Sequence, residues 1–333
     1  MKVAVIGAGT MGTVHSEAYA DMPGTQIAGI VDIRLAAAQS LAARTQTNAY
    51  DSFDALLAHE QPDVIDICVP TYRHRAYTEQ AAHAGKHVIC EKPMARTLAD
   101  ARAMLNVCES ADVRLFLAHV VRFFPEYSRA TRSVQKGAVG KPGVIRTTRA
   151  GGHPTAWEDW YASYARSGGV IMDLLIHDFD WLRATFGEVE RIFARSLRGR
   201  DTQRLDYALV TLRFATGAIA HVEGSWAHRG GFHTSIEIAG TVGMIEHDSR
   251  QSAPIRVHTE SREQGQAGVA VPESPLAQSP YYLELENFMN CIRTNTQPIV
   301  TAEDGYKALE IAAAANLSAA TGRPATPGEE EAL

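Results

Sequence analysis

The feature that most constrains the fold of this chain is a glycine-rich segment directly after its first apolar run. Val3–Ile6 has the composition of a buried strand, and the sequence after the glycines predicts a helix over Thr13–Ala20. The glycines between them follow the spacing Gly-x-Gly-x-x-Gly, which permits a tight turn, close approach of a pyrophosphate and close packing of helix on strand. Amides at the helix N-terminus add a site for phosphate. We therefore expect a dinucleotide to bind at Gly7, Ala8, Gly9, Thr10, Met11 and Gly12.

The end of the second predicted strand, Gln26–Val31, indicates which dinucleotide binds. Asp32 follows Gly12 by 20 residues, and an acid at this distance binds both ribose hydroxyls and repels a 2′-phosphate. This favours NAD over NADP, although the cation of Arg34 could instead attract a phosphate. A turn-forming role is the alternative for Asp32. With Ile33 between them, these residues form the second part of the predicted cofactor site.

Strands alternate with helices up to residue 118. Further strands are predicted at Asp63–Val69, His87–Cys90 and Arg114–Ala118, and further helices at Leu35–Ala43, Ser52–His59, Tyr77–Ala84 and from Thr97 to about Ser110. This alternation predicts an α/β fold with a doubly wound parallel sheet, which binds ligands beyond the carboxyl ends of its strands. Residues after those ends complete the predicted cofactor site: Val69, Pro70, Thr71, His74, Glu91 and Lys92. A helix-capping role explains His74 equally well.

The segment Ser167–Leu182 is almost entirely apolar, so a helix here would be buried on all sides. Asp173 and His177 would lie one turn apart on it. Such polar groups are costly in an apolar setting unless they are paired or act on a ligand. A satisfied polar pair in a core is the alternative reading. A metal site is disfavoured, because a third ligand could only be guessed at His119 or His153.

Lys92 lies two residues after Cys90, the end of the apolar strand His87–Cys90, and Pro93 restricts the direction of the chain. A partly desolvated lysine at a ligand-binding edge can stabilise an alkoxide, although surface lysines are commoner. Here the chain resembles the glucose–fructose oxidoreductase, inositol dehydrogenase and MocA-type family of NAD(P)-dependent enzymes. The matching motifs are the glycine segment, Ala84-Gly85-Lys86-His87-Val88 followed by Glu91-Lys92-Pro93, and Ser167-Gly168-Gly169 with Asp173 and His177.

The resemblance implies that Lys92, Asp173 and His177 are catalytic and that the Lys92–Pro93 peptide bond is cis. It also implies hydride transfer between nicotinamide and a secondary alcohol carbon of a sugar, inositol or related polyol. In that family the segment after residue 118 passes near the substrate, which makes Val120 and Arg122 substrate-binding candidates. Arg122 could equally form an ion pair at a domain interface. The rival functions are an NAD-dependent glycosidase with transient substrate oxidation and a non-catalytic NAD-binding sensor.

The rest of the chain predicts a second domain, so we expect domains at residues 1–118 and 119–333. The second is predicted to be α+β, with a mostly antiparallel, open-faced sheet; its helix 302–320 could pack back on the first domain. An open face with Tyr207, Leu209 and Trp226 suggests a homodimer or homotetramer, as in the resembled family. His153, Trp160, Phe232 and His233 are the further substrate-binding candidates, although ordinary packing is the more frequent role of aromatic side chains.

Charge, hydropathy and cysteine spacing exclude several functions. A formal net charge of −6 offers no basic surface for nucleic acid. No apolar run approaches membrane-spanning length. The four cysteines have neither paired nor metal-type spacing, so we expect reduced thiols, no metal and, by default, a cytoplasmic protein. Residues 251–280 are rich in Ser, Gln, Gly and Pro and are predicted to form a long loop.

Overall fold

The computed structural model of the chain describes residues 1–197, 205–251 and 278–330. These residues form two compact units, the first from 1–123 with 278–306 and the second from 124–251 with 307–330. Residues 278–306 thus group with the first unit, although the sequence placed them in the second domain; the domain limits themselves stay a prediction. Most of the loop predicted over 251–280 lies outside the described residues.

None of the helices in the described chain is long and apolar enough to cross a membrane. In chain order they are α1 (Thr10–Ala20), α2 (Leu35–Arg44), α3 (Phe53–His59), α4 (His74–His83), α5 (Leu98–Ser110), α6 (Pro125–Gln135), α7 (Tyr164–Ser167), α8 (Gly169–Asp173), α9 (Ile176–Phe186), α10 (Pro280–Thr294) and α11 (Ala302–Thr321). Side chains cap two of them at the N-terminus: Ser52 Oγ accepts from Ala55 N, and Thr97 Oγ1 accepts from Asp100 N.

The first unit contains a six-stranded sheet in which every pair of neighbouring strands is parallel. Its strands are β1 (Lys2–Ile6), β2 (Gln26–Val31), β3 (Ala49–Tyr50), β4 (Val64–Ile67), β5 (His87–Glu91) and β6 (Leu115–Ala118), in the order β3-β2-β1-β4-β5-β6. The predicted doubly wound parallel sheet is confirmed. The order reverses between β1 and β4, and the crevice beyond their carboxyl ends is where this architecture binds ligands.

The first unit is stabilised by a continuous apolar core to which each of the five longer strands of the sheet contributes. Strand residues such as Val3 and Ile30 are fully buried, as expected for a parallel sheet covered by helices on both faces. Helix α10 contributes Leu285, Phe288 and Met289, and the Phe288 ring lies 5.1 Å from that of Phe116. All four cysteines are free thiols, as predicted.

The second unit contains a mixed sheet. Its strands are β7 (Pro142–Ala150), β8 (Val189–Ser196), β9 (Tyr207–Phe214), β10 (Ile219–Ser225), β11 (His233–Gly240) and β12 (Met244–Asp248), in the order β12-β11-β7-β10-β9-β8. Only β7 and β10 pair in parallel among these described strands; the other pairs are antiparallel, which confirms the predicted sheet type.

One face of the second sheet is exposed at β9, where Leu209 points outward while Val210 and Leu212 are buried. The prediction that Trp226 lies on this open face is wrong. Trp226 continues the buried alternation of Ala220 and Val222, and only 5% of it is exposed. A homodimer or homotetramer through the open face stays a prediction.

The apolar segment 167–182 is not one helix, which corrects the sequence prediction. Gly168 and Gly169 have φ values of 80° and 70° and separate α7 from α8. A second break follows α8, where both Leu174 N and Leu175 N donate to Val170 O. Only then does α9 begin. Asp173 therefore ends one short helix and His177 lies in the first turn of the next.

A buried ion pair links the sheet of the second unit to α9. Arg149 Nε in β7 donates to Asp178 Oδ2 at 2.7 Å, and a guanidinium NH2 group of Arg149 donates to Tyr127 Oη in α6 at 2.9 Å. The side chains of Arg149 and Asp178 are 5% and 0% exposed. Removal of one partner of such a pair leaves an uncompensated buried charge, which is strongly destabilising.

We expect Arg149→Met to lower the free energy of unfolding of the second unit by about 3–5 kcal/mol, because Asp178 stays buried without its cation. Urea unfolding followed by tryptophan fluorescence measures this directly, because Trp157, Trp160, Trp181 and Trp226 are the only tryptophans and all belong to this unit. The control is Arg213→Met, which removes an exposed pair with Glu190 and should change stability by less than about 1 kcal/mol. Equal effects of the two substitutions would contradict the assignment.

Candidate active site

The glycine segment forms an open cradle between β1 and α1. A Cβ atom on Gly12 would lie 1.7 Å from Gly7 O, so only glycine allows α1 to approach the turn this closely. A Cβ atom on Gly9 would meet no atom within 4 Å, because this part of the turn faces open space. The cradle thus leaves room for a pyrophosphate against bare backbone, which fits a dinucleotide.

Asp32, at the end of β2, is tied to the cradle. Its Oδ2 accepts from Ala8 N at 2.8 Å, and its Oδ1 accepts from Arg34 N at 2.8 Å. The Arg34 guanidinium also contacts both carboxylate oxygens at 3.2 Å. The guanidinium that could have attracted a 2′-phosphate is therefore engaged by the acid that repels one. Ile33 between them is 64% exposed and available to a ligand.

Two loops at the neighbouring strand ends are joined through His74. Its ring lies 2.9 Å from Val69 O, after β4, and 2.9 Å from Pro93 O, after β5. His74 is buried, and burial lowers its pKa. Because both ring nitrogens already face backbone carbonyls, His74 holds the Val69–Thr71 loop against the Pro93 turn. The Lys92–Pro93 bond is cis, which confirms the expectation from resemblance.

Glu91 and Lys92 lie where β5 ends. Glu91 is buried, and its Oε2 accepts from Lys92 N at 3.0 Å. Burial alone would raise the pKa of Glu91, but contacts with His15 and the charge of Lys92 oppose it, and the net pKa is lowered. Glu91 is therefore a carboxylate at neutral pH. Lys92 is half-buried.

Asp173 and His177 belong to the second unit, and the two glycines before them determine where their helices begin. A Cβ atom on Gly169 would lie 2.9 Å from Asp206 Oδ2, and this same oxygen accepts from Val170 N at 2.8 Å. Asp206 thus caps α8 in the space that a side chain at residue 169 would fill. Asp173 is 6% exposed, and His177 is half-buried.

The segment before these helices forms an aromatic cluster that the sequence revealed only in part. The rings of Trp160 and Tyr161 stack at 3.9 Å, and Trp226 lies 5.9 Å from Tyr161 and 5.3 Å from His153. His153 and Trp160 were predicted; Tyr161 and Trp226 were not. Two consecutive residues in this segment, Glu158 and Asp159, have φ values of 55° and 47°. Such strain in non-glycine residues is concentrated at binding sites and switch segments.

The remaining substrate-binding candidates have the following places. Val120 is buried in a 3₁₀ turn of the first unit, where Arg122 donates to Ile299 O at 3.1 Å and to Asp304 Oδ2 at 3.3 Å. Arg122 thus makes the ion pair that was one of its two predicted roles, although within the first unit. Phe232 lies just before β11, and His233 in β11 lies 3.1 Å from Asp248 Oδ1.

His15 and Asp66 lie beside Glu91 in the first unit, and neither was predicted from the sequence. The signal was present: Asp66 is an acid inside the otherwise apolar strand β4, and it is fully buried. Such a residue requires a buried donor, which here comes from α1, 51 residues earlier in the chain.

Comparison with known proteins places the chain in a family. Residues 1–119 match the oxidoreductase family with an NAD-binding Rossmann fold, and residues 132–326 match the C-terminal α/β domain of the same family. The chain is 31% identical to myo-inositol 2-dehydrogenase of Thermotoga maritima, over 96% of each chain. It is also 31% identical to D-apiose dehydrogenase of Paraburkholderia graminis, over 97% of this chain and 88% of the relative.

A solved structure agrees with these matches. GenD2 from gentamicin A biosynthesis, in complex with NAD, superposes with a TM-score of 0.87 at 25% identity, over 98% of this chain and 96% of that one. The chain therefore belongs to the glucose–fructose oxidoreductase, inositol dehydrogenase and MocA family of NAD-binding oxidoreductases, as its motifs predicted.

We expect Asp32→Ala to improve the use of NADP, because the substitution removes the repelling carboxylate and releases the Arg34 guanidinium toward a 2′-phosphate. The ratio of NADPH to NADH dissociation constants, measured by fluorescence titration, should fall by at least about tenfold, which corresponds to about 1.4 kcal/mol. Asp51→Ala, which removes an exposed acid near the end of β3, should leave the ratio unchanged. An unchanged ratio in Asp32→Ala would refute the assigned role of Asp32.

Proposed function

We propose that this member of the family is an NAD-dependent dehydrogenase that oxidises a secondary alcohol carbon of a sugar, an inositol or a related polyol. The observation that carries the proposal is that the dinucleotide cradle and the half-buried Lys92 share one edge of the first sheet, in a chain similar over 96% of its length to a myo-inositol 2-dehydrogenase. Dehydrogenases of apiose and of inositol among its relatives support the same substrate class.

The cofactor half of the proposal concerns the first unit. Gly7–Gly12 would bind the pyrophosphate, Asp32 the adenosine ribose, and the loops after β4 and β5 the nicotinamide end. Bound NAD supplies the carbon that accepts the hydride from the alcohol carbon. The protein must therefore manage the hydroxyl proton and the charge that develops on the oxygen.

We assign His177 the role of general base, because imidazole has a pKa suited to proton transfer near neutral pH. The proton passes from the substrate hydroxyl to His177 as the C–H bond transfers its electron pair. The ammonium of Lys92 stabilises the negative charge on the oxygen until the carbonyl has formed. Asp173 binds a neighbouring hydroxyl and orients the imidazole, in the manner of other histidine–carboxylate pairs.

The aromatic cluster of the second unit supports a polyhydroxylated substrate. Trp160, Tyr161 and Trp226 combine apolar ring faces with polar N–H and O–H groups, the combination that suits a ring with C–H faces and hydroxyl edges. We propose that this cluster, with His153, is one wall of the substrate site and that Phe232 and His233 complete it.

The rival functions gain no support from these comparisons. The relatives named above are dehydrogenases, and a glycosidase that oxidises its substrate transiently would regenerate NAD in each cycle. Net formation of NADH therefore distinguishes the two enzymes, and its absence with every substrate would favour the sensor or the glycosidase. The direct test is a screen of inositols, aldoses and sugar acids with NAD and with NADP, followed at the absorbance of the reduced nicotinamide.

Substitution of the proposed catalytic residues should separate cofactor binding from turnover. We expect Lys92→Ala and His177→Ala to lower kcat by about 10²–10⁴-fold while the NADH dissociation constant changes little, since each removes proton transfer or charge stabilisation. Steady-state kinetics and NADH fluorescence titration measure the two quantities.

Matched controls are Lys86→Ala and His83→Ala, which truncate a lysine and an exposed histidine outside the proposed site. Both should retain kcat within about twofold, as is usual for surface substitutions away from special features. Near-normal turnover in either Lys92→Ala or His177→Ala would remove that residue from the catalytic assignment.

A further inference from the structure

A series of buried polar groups lies behind the turn that carries Lys92, and the proposed reaction makes no use of it. Asp66 in β4 and His15 in α1 are both 0% exposed. His15 Nδ1 lies 2.8 Å from Asp66 Oδ2, and Tyr19 Oη donates to the same oxygen at 2.9 Å. The Nδ1 edge of the His15 ring is thus fixed to β4, a central strand of the sheet.

The other ring nitrogen of His15 faces the end of the neighbouring strand. His15 Nε2 lies 3.2 Å from Glu91 Oε1, and Glu91 Oε2 accepts from Lys92 N. The contacts therefore run without a gap from Asp66 through His15 and Glu91 to the backbone of Lys92. Each member lies in the first unit.

Within this series of buried groups, the two acids Asp66 and Glu91 require a cation between them. Asp66 and Glu91 belong to adjacent strands and are both buried, and two desolvated carboxylates that face one ring repel each other unless a positive charge lies between them. An imidazolium supplies that charge: its Nδ1–H donates to Asp66, and its positive ring lies 3.2 Å from the Glu91 carboxylate.

The balance of effects on His15 agrees with an imidazolium. Burial lowers the pKa of His15, but the surrounding Cys68 and Asp66 oppose burial, and the net pKa is raised well above 6.5. We attribute the rise to Asp66, because burial also raises the pKa of the Cys68 thiol and keeps it neutral. The titratable groups around the ring are Asp66, Cys68 and Glu91, with Tyr19, Glu284, Lys92 and His74 one contact further away.

We propose that His15 is a positioning residue: it bridges Asp66 and Glu91, and through Glu91 it fixes the backbone of Lys92 at the end of β5. The proposal rests on the proposed function insofar as Lys92 acts in the reaction. A misplacement of about 1 Å in a reacting group can cost about 10²-fold in rate, so a buried bridge at this turn affects turnover without touching substrate.

A metal ion is the competing explanation for the same atoms. His15, Asp66 and Cys68 offer three ligand atoms within 4.8 Å of one another. However, the 2.8 Å between Nδ1 and Oδ2 is the length of a charge-assisted hydrogen bond, and a metal would have to displace that shared proton together with the proton of a buried thiol. The Cys68 thiol donates to Asp66 Oδ1 at 3.6 Å, and its Sγ atom lies 3.4 Å from Nδ1, distances that are ordinary for a weak hydrogen-bonding thiol.

The kinetic test compares His15→Gln, Glu91→Gln and the double variant in the full-length enzyme. Each single substitution should lower kcat about tenfold or more, and His15→Gln should leave the NADH dissociation constant within about twofold. Because both residues act through one connection, the kcat of the double variant should be no lower than that of the more impaired single variant. The matched control is His87→Gln at the opposite end of β5, which removes a contact with Arg114 N and should retain kcat. Unchanged kcat in His15→Gln, or multiplied losses in the double variant, would overturn the proposal.

A second test needs no turnover. In ¹⁵N-labelled wild-type protein at pH 7.5, NMR of the histidine rings should show His15 with both nitrogens protonated, and Glu91→Gln should shift its Nε2 signal. Elemental analysis of the purified protein should find no stoichiometric metal. A neutral ring, or one bound metal per chain, would overturn the bridge. If the bridge is found but no sugar or polyol is oxidised by the wild type, the proposed function fails and the bridge does not.

Discussion

The structure depends on one requirement: a carboxylate removed from water must have a donor or a cation beside it. Asp32, Asp66 and Glu91 lie at or near the carboxyl ends of three strands of the first sheet. Ala8 N and Arg34 satisfy Asp32, and His15 and Tyr19 satisfy Asp66. His15 and Lys92 N satisfy Glu91. The second unit meets the same requirement with Arg149 on Asp178 and Val170 N on Asp206. These acids connect strands to the loops and helices that carry the site, so the partners that stabilise them also set its geometry.

Features that depend on local sequence were predictable. The glycine segment, the five longer strands of the first sheet and the position of Leu209 on the open face of the second each follow from spacing or period within a few residues. The two-residue strand β3 was missed because Ala49–Tyr50 is too short to show a period, and its pairing with β2 is decided by tertiary contacts. The helix over 167–182 was wrong because apolar composition carries no information on the left-handed turn at Gly168 and Gly169.

The site divides in the same way. Asp32 and the cradle were predicted from spacing, whereas Lys92, Asp173 and His177 needed the resemblance to a family. His15 and Asp66 were missed because they pair across 51 residues, and only the fold brings a helix face to a strand at that distance. Trp226 was assigned to the wrong face of the second sheet. It directly follows β10 and continues the alternation of that strand, which places it on the buried face.

The cysteines and the tryptophans lie in different units, so each residue type can report on the unfolding of one unit. Cys68, Cys90, Cys108 and Cys291 all belong to the first unit, and the structure buries the last three. Burial raises the pKa of Cys108 to about 12, so hardly any of it is the reactive thiolate at neutral pH. A thiol reagent can therefore modify these buried cysteines only when the first unit opens. The rate of modification then measures the opening of the first unit, and tryptophan fluorescence follows the second unit separately.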